Sequence, residues 1–127
     1  MVEYAAAGDL LEAYGQAWET FDGDAWVALF AEDAEYHVDP FGSPLVGHNA
    51  LRAYLLDATA AERDVEFTIE RHWVSGETIL AAWHSTGVTS GSGETARKAG
   101  FLTAEVAADG RIGRFRQWWM VPSGRAG

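Results

Sequence analysis

A chain of 127 residues with nine basic and nineteen acidic side chains carries a formal charge of −10 and has no cysteine. That length holds one core and is short for two, so a single domain over 1–127 is expected. The charge repels phosphate backbones and anionic lipid, which argues against nucleic-acid or membrane-surface partners, and the missing thiols exclude disulfides and a cysteine nucleophile.

The opening Met1-Val2-Glu3-Tyr4 has no basic stretch leading into an apolar one. No apolar run reaches the roughly 20 residues that span a bilayer, so a cytoplasmic location is expected. The first helix is marked by Leu11, Tyr14, Trp18 and Phe21, an apolar stripe at helical spacing. Asp22-Gly23-Asp24 interrupts it and can cap a short second helix carrying Trp26, Leu29 and Phe30. Residues 34–39 look extended and end at Asp39, because a residue before proline is biased away from helix. A third helix follows, with Leu51, Tyr54, Leu55 and Ala58 on one side.

From Asp64 the period changes to two, with Val65, Phe67 and Ile69 alternating against Glu66, Thr68 and Glu70. Ser75-Gly76, the Ser90–Gly93 stretch and Asp109-Gly110 read as turns between strands over 78–88, 95–106 and 111–121. The tail from Pro122 is expected to fray. Three helices and a short strand followed by a four-strand meander make an α+β fold. The expected shape is a cone: a curved antiparallel sheet wrapped around the three N-terminal helices and enclosing a pocket. Six tryptophans exceed what one small core needs, so some should line that pocket or a subunit interface.

Three stretches, Leu29-Phe30-Ala31-Glu32-Asp33-Ala34, Val46-Gly47-His48-Asn49-Ala50-Leu51-Arg52 and Asp109-Gly110-Arg111-Ile112, stand in an order and spacing that resembles the nuclear-transport-factor-2-like superfamily. The resemblance covers roughly residues 5–121. Within it, His37-Val38-Asp39-Pro40-Phe41-Gly42 is similar to the segment that bears the catalytic base of ketosteroid isomerases, and Tyr14 matches their oxyanion-donating tyrosine. The SnoaL-like polyketide cyclases are the second enzyme class that the likeness brings in.

This resemblance implies cofactor-free proton transfer on a flat, apolar carbonyl compound, steroid-like or polyketide-like, with Asp39 as base and Tyr14 as donor. Apolar surroundings would strengthen a carboxylate base, and Phe41, Tyr36 and Trp119 are candidates to supply them. In the cyclase version His37 or His84 joins as acid. The implied walls are Trp18, Phe30, Tyr54, Phe115, Gln117 and Trp119. Two departures accompany the match: Leu102 stands where the isomerases carry a second oxyanion donor, and one extra residue between Phe30 and Asp39 requires a bulge.

Other readings stay open. Asp39 before proline is also a common turn residue whose side chain bonds nearby amides. One of Trp83 and His84 faces the pocket, and Ala81-Ala82 leaves open which. Alternation on the last strand sends Phe115, Gln117 and Trp119 to one face, and Arg114, Arg116 and Trp118 to the other. The second set suits a homodimer formed through the sheet. No two histidines have helical i, i+3 or i, i+4 spacing, so no metal is expected. No cofactor is expected either. The same pocket could hold an apolar metabolite without reacting, or the chain could act as a dimerisation module.

Overall fold

The apolar stripe of the first segment folds as α1 (Tyr4–Thr20), and the computed structural model describes residues 1–122. Leu11 and Tyr14 on α1 are almost fully buried, and the helix ends at Phe21 in the left-handed region. The Asp22 side chain accepts from the Ala25 amide at 3.0 Å and caps α2 (Gly23–Val27). This helix is shorter than the sequence pattern suggested. Leu29 lies beyond it, and Phe30 opens a strand, β1 (Phe30–His37). Then come a short strand, β2 (Leu45–Val46), and helix α3 (Gly47–Ala61).

Helix α3 runs directly into β3 (Glu62–Ser75) without a loop, two residues before the alternating pattern becomes visible. Strands β4 (Thr78–Thr89), β5 (Thr95–Val106) and β6 (Ile112–Met120) complete an antiparallel meander. All six strands form one curved sheet in the order β2-β1-β6-β5-β4-β3, open at both edges and not closed as a barrel. One pairing departs from the antiparallel expectation: β1 runs parallel to β6. The connection between them passes through the whole intervening chain, so sequence neighbours do not reveal it. Its register shifts between Phe30 and Glu35, in the interval where the extra residue called for a bulge.

Register shifts in β3, between Arg63 and Glu66 and between Ile69 and Arg71, break the pleat of the longest strand. Such shifts increase local twist and bend, which lets β3 follow α1. The concave face carries Ile79, Ala81, Trp83 and Ser85 from β4, Leu102 and Ala104 from β5, and Phe115 and Gln117 from β6. Helices α1 and α3 cover this face, and an aromatic stack fills its closed end. Phe115 stacks against both Tyr14 and Tyr36, with ring centroids 5.1 and 4.6 Å away, and Trp26 meets Phe30 edge-on at 5.2 Å. Each such pair adds about 1 kcal/mol to the area term. Among the described residues no helix is long and apolar enough to cross a membrane. The tail expected to fray lies, beyond Pro122, outside the described residues.

Candidate functional site

Toward the end of the sheet where α3 meets β3, the covering helices stand off and leave a cavity of about 300 Å³. That size is at the lower bound of small-molecule sites. Its wall is aromatic: Tyr14 and Trp18 from α1, Phe21 at the end of α1, Tyr54 from α3, Phe67 from β3, Trp83 from β4 and Trp119 from β6. Gly100 of β5 pairs with both Trp83 and Trp119 across the sheet. A Cβ there would overlap the Trp118 carbonyl oxygen and stand 2.9 Å from both the Trp83 ring and the Trp119 Cβ, so the close approach of these strands requires glycine.

Two polar groupings interrupt this wall. The first is a chain of hydroxyls: the Tyr14 and Tyr36 oxygens are 2.7 Å apart, and the Tyr36 hydroxyl donates to Gln117 Oε1 at 3.3 Å. Burial pushes the Tyr14 and Tyr36 phenols far above their ordinary range, and the bond to Tyr36 only partly offsets this for Tyr14. Tyr54 is raised by burial as well, with the Gln117 amide pulling the other way. These groups are therefore neutral hydrogen-bonding groups at any ordinary pH.

The second grouping is charged. The Glu62 carboxylate, only 16% exposed, sits 3.3 Å from Lys98 Nζ, and that ammonium lies 5.2 Å from the centre of the Trp119 ring. Lys98 is the only lysine in the chain. Glu62 can turn inward because Gly87 stands opposite, where any Cβ would overlap its carboxylate. Asp57 adds a carboxylate to the lining from α3.

The residues picked out in the sequence divide between this cavity and other places. Tyr14, Trp18, Tyr54, Gln117 and Trp119 line it. Phe30 and Phe115 do not: both are fully packed in the aromatic stack behind it. Asp39 does not reach it. Its carboxylate is exposed and accepts the Phe41 and Gly42 amides, both at 2.8 Å, which is the turn role open to an aspartate before proline. Phe41 is 97% exposed and offers no apolar shelter. Alternation in β1 points Tyr36 into the core and turns His37 outward, where it lies 3.3 Å from Glu35. Trp83, not His84, faces the cavity; His84 is on the outer face, 3.2 Å from Glu70. His48 and His72 bond the carbonyls of Phe30 and Tyr4. Among the described residues no group of three or more His, Asp or Glu side chains is placed to hold a metal ion.

Sequence reasoning missed Glu62 and left Lys98 without a role. Glu62 hides in a polar run, Glu62-Arg63-Asp64, at the helix–strand corner. Lys98 alternates on a strand like any surface charge. The available signal was its being the sole lysine, with Gly87 and Gly100 on neighbouring strands.

Residues 11–115 match the SnoaL-like domain, so the chain belongs to the SnoaL-like family, within the nuclear-transport-factor-2-like superfamily. No curated protein matches it. Among solved structures, SalBIII, an epoxide hydrolase/cyclase-like enzyme of pyran ring formation in the polyether salinomycin, superposes with a TM-score of 0.82 at 18% identity, over 94% of this chain and 95% of that one. RV0760c from Mycobacterium tuberculosis, in complex with estradiol-17β-hemisuccinate, gives 0.77 at 24% identity, over 91% and 94%. A protein of ketosteroid isomerase-like fold from Catenulispora acidiphila, in complex with trimethylamine, gives 0.78 at 18%, over 87% and 84%. At these identities the likeness is one of fold.

Proposed function

We propose that the chain binds a flat, apolar carbonyl compound in the aromatic cavity and moves a proton on it, with Glu62 as the base. The observation that carries this reading is a carboxylate only 16% exposed in a largely aromatic wall, paired with Lys98 and better sheltered than Asp57, the other carboxylate of the lining. A base for carbon acids must be shielded from water yet open to the ligand, and Glu62 meets both conditions in the cavity wall. Glu62 removes a proton from the carbon next to the carbonyl, the electrons move into the oxygen as an enolate, and the same proton returns to another carbon. A proton donated by Tyr14, about 1.5–3 kcal/mol when charge-assisted, would favour the enolate in the arrangement where Tyr36 donates to Tyr14. The fold relatives include a complex with estradiol-17β-hemisuccinate, which supports the ligand class.

The test is a spectrophotometric screen of β,γ-unsaturated ketones, following conjugated enone absorbance. Turnover by the wild type that is lost in Glu62→Gln and kept in Asp39→Asn is the expected result. Turnover that survives Glu62→Gln and disappears in Asp39→Asn would return the base to the loop.

A non-catalytic binding site is the second reading, and Leu102 favours it. This buried residue stands where the isomerases carry their second donor. Ligand affinity without any turnover across the screen, unchanged in Glu62→Gln, would decide for it.

We also propose that two copies pair through the outer face of the sheet. Trp73 and Trp118 are each more than a third exposed there and flank Phe101, with Arg116 beside them. Sedimentation equilibrium showing only monomer at 100-fold dilution steps down from about millimolar protein, the range of weak association, would count against it.

A further inference from the structure

We propose that Gln117 sets the direction of a reversible hydrogen-bond relay, and through it whether Tyr14 offers the ligand a lone pair or a proton. The inference rests on the cavity reading above and names the oxygen chemistry the site prefers. Tyr36 has one hydroxyl proton, and that proton goes to Gln117 Oε1. The 2.7 Å contact between the two tyrosine oxygens must then use the proton of Tyr14. Tyr14, which lines the cavity, is left facing it with lone pairs only. In this direction the site suits a ligand hydroxyl, a phenol or an alcohol, better than a carbonyl.

The opposite direction is complete as well once the Tyr54 hydroxyl, which the Gln117 amide now faces, donates to the turned Oε1. Turning the Gln117 amide over puts its NH₂ toward Tyr36, which then donates to Tyr14 and frees the Tyr14 proton for a ligand carbonyl. The two tyrosines cannot reverse by themselves. If Tyr36 turned its proton to Tyr14 while Oε1 stayed in place, two buried oxygens would face each other with no proton between them. Tyr36 is fully buried and Gln117 only 8% exposed, so water does not fill the gap. The amide and the two hydroxyls therefore turn together, and Gln117 is a positioning residue that acts through Tyr36. The relay also answers the substitution at Leu102: that residue pairs with Gln117 across the sheet, so the polar group lost on β5 is replaced from β6 by one that works at one remove.

The experiment compares 2-naphthol with 2-tetralone, a two-ring pair that differs at the oxygen, by titration calorimetry near pH 7. The wild type should bind naphthol more tightly. Gln117→Leu removes the acceptor that holds the Tyr36 proton, and Tyr36→Phe removes the link. Each should lower the naphthol-to-tetralone affinity ratio about five- to tenfold, the worth of one hydrogen bond. In a Tyr14→Phe background the effect of Gln117→Leu on that ratio should vanish, because the relay no longer reaches the ligand. A ratio that stays within twofold in both Gln117→Leu and Tyr36→Phe overturns the inference and leaves the cavity reading intact. An undiminished Gln117→Leu effect in the Tyr14→Phe background also overturns it, since Gln117 would then touch the ligand directly. If neither probe binds the wild type, the relay and the cavity reading fall together.

Discussion

The Asp39 loop and the Glu62 corner each present a carboxylate, and the two differ in exposure and in partners. Asp39 is identified by a local run of residues, is open to water, and spends its lone pairs on two amides of its own turn. Glu62 stands in an unremarkable polar run, yet the helix–strand junction, Gly87 and Lys98 bring it into an aromatic wall. Reactivity follows the surroundings of the group, and these are assembled from four separate elements.

The contrast is sharpest in turnover. On a ketone that the wild type isomerises, Glu62→Gln should lower kcat about 100-fold or more, the scale of a lost general base, while Asp39→Asn stays within about twofold. Steady-state rates from the enone absorbance check both. Equal losses in the two variants would erase the distinction between the regions. Next in size is Gly87→Ala. The new methyl overlaps the Glu62 carboxylate, so the side chain should swing away from Lys98, with kcat down about tenfold and a stability cost of about 1 kcal/mol. Urea melts separate this from unfolding. A variant as active as the wild type would show that the inward placement of Glu62 is dispensable.

The tyrosines at the cavity give a pH signature that the loop does not share. Tyr14, Tyr36 and Tyr54 are all raised by burial. A raised folded value means that their contribution to stability is complete below the unfolded phenol value, about pH 10, and is lost as pH climbs from there toward the folded values. The urea midpoint should be level from about pH 7 to 9 and fall above about 10, less steeply in a Tyr14→Phe/Tyr36→Phe double variant. Parallel curves would place the alkaline transition elsewhere. Smallest is the loop itself. Asp39→Ala should cost about 1 kcal/mol through two lost turn hydrogen bonds and leave ligand affinity unchanged, as calorimetry would show.

Much of the fold was legible because it rests on local periodicity. The α1 stripe, the β3 alternation and the turns at Ser75-Gly76 and Asp109-Gly110 are properties of neighbouring residues, and the structure has the corresponding helix, strands and turns. Phe30 was misplaced on a helix because an apolar residue after Trp26 and Leu29 fits a helical stripe as well as a strand start. The parallel pairing of β1 with β6 joins segments about eighty residues apart, and no local pattern encodes it. The sequence alone determined the order of the helices, the first strand and the meander, though not the short β2, together with the aromatic supply, the net negative charge and the family. Tertiary structure decided which carboxylate is sheltered in that aromatic wall, which of Trp83 and His84 turns inward, and that Tyr14, Tyr36 and Gln117 meet. Those outcomes depend on register shifts and on space left by Gly87 and Gly100, and both come into being only when distant strands pack.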